Sequence, residues 1–320
     1  MSRRLRFYLI ISFMFFALSS ITAQEAEIGV VTFVKGEVSL IRDGKAAPLK
    51  VDEKISGTDT VEAAPGAKAR IVFFSGDAKG MKVVAGGEKF EVARFLSQKP
   101  EERSLSSMAA DILQAFGKKE EVRETVATTR DAKNGRQRLI VFPRGNLAGE
   151  IKEIIWRPFP KAKNYSLVIE YLGDTGKITK TINTAKTCLN KELPEFLPGV
   201  LYSLTISASD GKTEIAKDKE TFSPPSPTDA GKIFSGTFSE IEKSVGDPED
   251  PTTFLLIGNA FLTAGFFGEA SKEFLRYSIL SGKTGLATNG IRKALLKMKF
   301  LPSEADESIP GLIEDYGKMR

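Results

Sequence analysis

The chain has 320 residues, enough for about two or three domains, and its 41% hydrophobic and 27% charged content excludes global disorder. It carries 46 basic and 41 acidic residues, a formal net charge of +5. Arg3, Arg4 and Arg6 lie at the extreme N-terminus, so the remainder is nearly balanced and nucleic-acid binding is not expected. Histidine is absent from the sequence, which excludes Ser-His-Asp and Cys-His catalysis and histidine metal sites.

Residues 1–23 have the three parts of a secretory signal peptide. A basic start, SRRLR, precedes the apolar run FYLIISFMFFAL, and small residues then lead to a cleavage position after Ala23. The apolar run is about 12 residues long, shorter than the roughly 20 that a helix needs to span a bilayer. We therefore expect a periplasmic or exported protein of a bacterial cell envelope. An uncleaved N-terminal anchor stays open, and it would then be the chain's membrane contact.

Residues 24–96 predict a small all-β domain, because short alternating apolar runs recur between glycine or charged turns. This segment resembles the FecR-type β domain in GVVTFVKGEVSLIRDG, in Gly57 and Asp59, and in the apolar strand before Ser-Gly-Asp. The resemblance implies a β fold. Because the predicted signal peptide begins the sequence, we expect no cytoplasmic domain, and the sigma-factor regulation of the best known members is not carried over.

Residues 97–137 predict a helical and charged linker. From Ser104 to Phe116 the apolar residues recur at helical spacing, with Gly117 positioned to end the helix. The residues that follow are polar and charged, which is typical of an exposed connection between domains.

Residues 138–223 predict a second β domain of immunoglobulin-like size, from several alternating runs separated by proline and glycine turns. It resembles a fibronectin type III domain through Trp156, Tyr165 and Tyr202. All three match core positions, so the resemblance implies a fold and no ligand. Cys188 lies in an alternating run and is predicted to be a half-buried strand thiol, with a reactive or intermolecular thiol as the alternative.

Residues 224–231 predict a semi-rigid proline-rich linker, and residues 232–320 predict a helical region. The stretch from Phe254 to Gly282 resembles a tetratricopeptide repeat. Its residues at the packing positions of the repeat are Phe254, Ile257, Gly258, Phe261, Ala270 and Phe274. A stable solenoid generally needs about three repeats, more than this region offers. We therefore expect the hairpin to be capped by flanking helices, or to pack on the β domains or on a partner.

The segment DPEDP precedes this hairpin. Asp250-Pro251 predicts a helix start, since proline is tolerated at the first helical position. Asp247, Glu249 and Asp250 are predicted to form the cap and turn, because calcium-site spacing is missing. Acidic pairs at 101–102 and 120–121 are interpreted as solvated surface, although paired carboxylates leave a glycan-acting enzyme as an alternative.

Phe266 and Phe267, at the turn of the hairpin, are the candidate partner-binding residues. Two adjacent aromatic residues do not face the same side of a helix, so one is a candidate for binding a partner; packing onto the next helix pair is the favoured interpretation. We predict no catalytic residue, cofactor or metal. The expected architecture is multidomain, mainly β and then α. The expected function is a non-enzymatic envelope scaffold that binds envelope proteins or peptidoglycan; a membrane-anchored signalling component is a further alternative.

Overall fold

The computed structural model describes residues 27–74, 80–97, 138–173, 176–226, 236, 238–243, 245–247, 249–282 and 284–319. The predicted signal peptide, nearly all of the predicted linker 97–137 with its helix, and most of the predicted linker 224–231 lie outside these residues. Within them, antiparallel β-sheets are followed by a C-terminal helical region, which confirms the coarse architecture expected from the sequence.

The first β unit, residues 27–97, contains two four-stranded antiparallel sheets among its described residues. The elements are β1 Glu27–Lys35, β2 Val38–Arg42, β3 Lys45–Pro48, β4 Lys54–Ser56, β5 Thr60–Ala63, β6 Lys68–Phe73, β7 Gly80–Ala85, β8 Lys89–Glu91 and helix α1 Val92–Leu96. The sheet orders are β4-β1-β6-β7 and β3-β2-β5-β8. Val31, Ile71 and Phe73 belong to the apolar cluster of this unit. Strand β8 ends at Glu91, and α1 begins at the next residue.

The second β unit, residues 138–226 and called the sandwich below, contains a three-stranded and a four-stranded antiparallel sheet in its described part. Its strands are β9 Ile140–Phe142, β10 Ile154–Trp156, β11 Asn164–Gly173, β12 Gly176–Thr184, β13 Cys188–Leu189, β14 Tyr202–Ser209 and β15 Glu214–Phe222. The sheet orders are β13-β10-β9 and β12-β11-β14-β15. Two antiparallel sheets of this size are consistent with an immunoglobulin-like β domain.

The three aromatic residues predicted for the core of the sandwich are all buried. Trp156 and Tyr165 pack edge to face, with ring centroids 5.6 Å apart. The Tyr202 hydroxyl accepts a hydrogen bond from the backbone N–H of Leu197 at 2.8 Å. A tyrosine that bonds back to the preceding backbone in this way is the tyrosine corner of immunoglobulin-like sandwiches.

Strand β15 was not predicted from the sequence, because charged residues interrupt its alternation. Asp218 points into the protein and is buried. Its carboxylate accepts hydrogen bonds from the backbone N–H groups of Leu139 and Ile140, at 2.7 and 3.0 Å, and pairs with Arg144 at 3.0 Å. A buried carboxylate with these partners is satisfied, so a strand tolerates it where an apolar residue is usual.

The helical region, residues 236–319, includes a short helical stretch at 238–243 and four longer helices in its described part. These are α2 Thr252–Ala264, α3 Phe267–Ser281, α4 Gly285–Lys297 and α5 Pro302–Met319. Helices α2 and α3 form the predicted hairpin, and Gly265 between them adopts the left-handed conformation that suits glycine. Pro302 starts α5, at the position where a missing N–H costs least.

Two glycines allow the Phe274 ring to lie between helices α2 and α4. A Cβ atom added to Gly258 would lie 2.8 Å from this ring, and one added to Gly290 would lie 2.7 Å from it. Phe274 itself is fully buried. The close approach of these helices therefore depends on the absence of side chains at two positions.

We expect Gly258→Ala to lower the free energy of unfolding by about 1–3 kcal/mol, because the added methyl group overlaps the Phe274 ring in a packed core. Gly317→Ala in α5 is the matched control, since its Cβ would meet Ile279 at an ordinary 3.9 Å. Alanine is the better helix former, so the control should be neutral or stabilising. Denaturant unfolding followed by circular dichroism measures both, and equal effects would contradict the close packing.

Candidate interaction site

The predicted partner-binding residues, Phe266 and Phe267, lie at the turn between α2 and α3. Both rings are half-buried and pack against the apolar cluster that spans the sandwich and the helices. The Phe266 ring lies edge-on to Phe261, with centroids 6.2 Å apart. The structure therefore places the aromatic pair against internal packing, and partner binding by these rings stays a prediction.

The residues after this pair explain why the turn is covered. A Cβ atom on Gly268 would lie 3.2 Å from the Phe142 ring and 3.2 Å from the carbonyl oxygen of Val141. Glu269 then accepts a hydrogen bond from the backbone N–H of Ala148 at 2.7 Å. The start of α3 is thus docked on β9 and on the loop that follows β9.

We call this contact between the start of α3 and the sandwich a seam. Glu269 is a buried acid within it. It is 4% exposed, and burial raises the pKa of its carboxyl group although the Ala148 N–H opposes that shift. One carboxylate oxygen has no hydrogen-bond partner. Nearby, the Lys272 ammonium lies 3.8 Å from a Glu153 oxygen, and the Tyr316 hydroxyl lies 3.1 Å from the other. Charged groups therefore join α3 and α5 to the sandwich.

The DPEDP segment forms a second seam, between the helical region and the first β unit. Asp250 caps α2 as predicted, accepting a hydrogen bond from the Thr252 N–H at 2.9 Å. The same carboxylate forms an ion pair with Arg70 on β6, and both side chains are buried. Two more ion pairs flank it, Lys68 with Asp247 at 2.7 Å and Lys35 with Glu249 at 2.6 Å. Cap and turn formation was therefore an incomplete prediction, because these acids also bind strands of another unit.

An irregularity in β1 supplies more contacts to this seam. The register between β1 and β6 shifts between Val31 and Phe33, which leaves Thr32 out of the ladder. The Thr32 carbonyl accepts a hydrogen bond from the Tyr277 hydroxyl at 2.9 Å. The Thr32 hydroxyl lies 2.9 Å from the Thr252 hydroxyl. The bulge thus turns backbone and side-chain polar groups of a strand toward two helices.

Asp52, in the first β unit, caps a helix of the helical region. Its carboxylate accepts hydrogen bonds from the backbone N–H groups of Gly285 and Leu286, at the start of α4. Thr284 caps the same helix locally by accepting from the Ala287 N–H at 3.3 Å. One helix terminus is therefore satisfied by residues from two different units.

Cys188 is a strand thiol, as predicted, but it is fully buried where the sequence predicted a half-buried position. Its sulfur lies 3.3 Å from the Asp315 carbonyl oxygen of α5. Burial raises the pKa of the thiol to about 12. Because the thiolate is the reactive form, this environment argues against the alternative of a reactive cysteine.

Part of the four-stranded sheet of the sandwich is open to solvent. An open depression of about 690 Å³ is lined largely by polar residues, including Ser166, Asn183, Ser207 and Lys212. Leu172 and Leu201 are 76% and 66% exposed. No sequence pattern distinguishes these residues, because alternation alone does not tell which face of a strand stays open.

In the described part of the chain, no group of three or more cysteine, aspartate or glutamate residues is placed to hold a metal ion. Across the same residues, every helix is too short or too polar to cross a membrane.

We expect Asp250→Asn to lower the free energy of unfolding by about 3–5 kcal/mol, because it leaves the Arg70 charge buried without an opposite charge beside it. Glu249→Gln is the matched control. It removes an acid from the same segment, but its ion pair with Lys35 is exposed and should contribute nothing measurable. Thermal unfolding of the two variants tests the seam, and a similar small effect in both would contradict it.

We expect native Cys188 to react with iodoacetamide at pH 7.5 at least about a hundredfold more slowly than the unfolded chain, because few thiolates form at its raised pKa. Cys188→Ser combined with Thr181→Cys places a thiol on an exposed strand position and serves as the control. Mass spectrometry of the alkylated chain gives the rates. Equal rates for native and unfolded protein would mean that the thiol is accessible.

No protein-family model matches the chain, and no curated protein matches it. Among solved structures the chain is similar to a chicken interferon gamma receptor alpha chain, at 14% sequence identity over 64% of this chain and 88% of that chain, with a TM-score of 0.21. At this score the similarity carries no argument about function.

Proposed function

We propose that the protein is a non-enzymatic scaffold of a bacterial cell envelope that binds envelope proteins or peptidoglycan. In this proposal residues 24–96 form a FecR-like β domain, residues 138–223 a fibronectin type III-like sandwich, and residues 232–320 a tetratricopeptide-like helical domain. The signal-peptide pattern of residues 1–23 supports export.

The observation that most supports a scaffold is the use of the helical region as an internal connector. Its charged and polar side chains bind the first β unit through Asp250 and Tyr277, and bind the sandwich through Glu269 and Tyr316. Side chains with these partners hold units in place. What the sandwich then offers to another molecule is the open face and edge of its four-stranded sheet.

Specific contacts support two of the three proposed domain types, the sandwich and the helical hairpin. The tyrosine corner at Tyr202 and the buried Trp156 support a fibronectin type III-like sandwich. The close packing of Gly258 on Phe274 supports a tetratricopeptide-like hairpin. The FecR-like assignment rests on the sequence resemblance together with a β fold.

A glycan-acting enzyme is the second candidate, and Glu269 is the observation that favours it. Its pKa is raised by burial, and Glu273 lies one helical turn away on α3. A general acid of a glycosidase needs such a raised pKa. Against this role, Glu269 bonds to Ala148 within a packed seam, and Glu273 pairs with Arg276 at 3.1 Å.

Site-specific photocrosslinking in the native envelope tests the scaffold. A photoreactive residue at Thr263 samples the surface beside Phe266 and Phe267, one at Lys212 samples the depression on the sandwich, and one at Glu62 in the first β unit is the control; all three positions are exposed. We expect the first or second position to capture envelope proteins or peptidoglycan above the control. The mass of the mature N-terminus separates a cleaved signal from a retained, membrane-anchored signalling component.

The contradicting outcome is turnover of cell-wall glycan by the purified chain that is lost in Glu269→Gln. Circular dichroism and thermal unfolding must first show that this variant is folded. Turnover would establish the enzyme, whereas capture without turnover supports the scaffold.

A further inference from the structure

The edge strand β12 of the sandwich is open. It forms one end of the sheet order β12-β11-β14-β15, and it pairs with β11 along its whole length, from Thr184 opposite Tyr165 to Gly176 opposite Gly173. Among the described residues, its other side makes no backbone pairing. Most of its side chains are exposed. A long unpaired edge of this kind is a template for one more strand.

The opposite edge of the same sheet is strand β15. Its inward-pointing Asp218 side chain accepts hydrogen bonds from the backbone N–H groups of Leu139 and Ile140, so the chain leading into β9 lies against the inner face of that strand. The two edge strands differ in charge. Strand β15 contains two lysines and three acids, whereas β12 contains two lysines and no acid.

The positive charge continues beyond β12. From Gly176 to Lys191 the sequence has lysines at 177, 180, 186 and 191 and no acidic residue. Lys177 bonds to Glu170 at 2.6 Å, and Lys180 donates to the Glu192 carbonyl. The first is an exposed ion pair that contributes little, so Lys177 remains able to exchange this partner for another carboxylate.

Apolar groups lie beside these lysines at one end of the edge. Ile178 on β12 is 38% exposed. Leu172 on the adjacent strand β11 lies opposite Lys177 and is 76% exposed. A strand added to this edge would cover Ile178 with its own side chains. The surface therefore favours a segment that combines acidic with apolar residues.

We propose that β12 binds an acidic extended segment of a partner protein as a fifth strand of the sheet, an inference that rests on the proposed binding role of the scaffold. Backbone hydrogen bonds supply the attachment, and the lysines select for acidic side chains. A second copy of this chain fits less well, because pairing two β12 edges brings lysines of like charge together.

The test uses the full chain with a nine-residue blocked peptide of alternating glutamate and valine. A lysine–valine peptide of the same length is the control. Hydrogen exchange measured by mass spectrometry should slow in residues 176–184 with the acidic peptide and stay unchanged in residues 214–222. Fluorescence anisotropy of the labelled peptide gives the affinity.

We expect Lys177→Glu combined with Lys180→Glu to weaken peptide binding by at least about tenfold, since two attractions become repulsions. Lys217→Glu combined with Lys219→Glu, on the opposite edge, is the matched control and should change binding by less than about twofold. Equal protection by the lysine–valine peptide would overturn the charge selection. Unchanged exchange in 176–184, or protection that occurs without peptide and is lost on dilution, would overturn the proposed occupant.

These outcomes are separable from those of the scaffold itself. If the crosslinks at Thr263 or Lys212 capture envelope partners while the peptide fails to protect β12, the scaffold stands and the edge proposal is wrong. If the purified chain turns over glycan, the scaffold fails whatever the peptide does.

Discussion

The buried ion pair between Arg70 and Asp250 is the constraint on which the arrangement of the units depends. Two charges removed from water are tolerated only while each keeps its partner. Arg70 also donates to the Val245 carbonyl at 2.6 Å, and Asp250 also holds the start of α2 through the Thr252 N–H. Strand β6 and helix α2 are therefore fixed to each other through groups that cannot be separated without leaving a buried charge alone.

Contacts with the β units also explain how a helical region of two hairpins is stable. A helical region this short has too few neighbouring helices to bury all of its apolar faces. Here the first β unit packs against Leu256 and Ala260 of α2, and the sandwich shares one apolar cluster with α3, α4 and α5. The helices thus complete their core with sheets instead of with more helices. Two expectations raised by the sequence are met: the hairpin packs on the β domains, and the flanking helix α4 packs on it where Gly290 lies against Phe274.

The fold was predictable where local periodicity is strong, as in β11, β14 and the α2–α3 hairpin. It was not predictable where charged residues replace the alternation, as in β15. The seams could not be predicted because their partners lie far apart in sequence; Arg70 and Asp250 are 180 residues apart. No local pattern marks such a pair.

The candidate site shows the same limit. Adjacent phenylalanines at a turn indicated an exposed ring, but the side that the sandwich covers depends on contacts from β9. Likewise, the run KITKTINT predicts a strand, yet only the sheet order makes that strand an edge. Which chemical groups stay available to a partner follows from tertiary packing, which a single sequence does not encode locally.

The cap that Asp52 provides for α4 forms only late in the synthesis of the chain. During translation, Asp52 is added to the chain 233 residues before Gly285, whose backbone N–H binds the Asp52 carboxylate. Until residues 250 and 277 emerge, the nascent first β unit has its Arg70 charge and its Thr32 carbonyl without their final partners. A premature stop codon ahead of α4 would leave the Asp52 carboxylate, in the part of the chain that is made first, without the N–H groups that it binds.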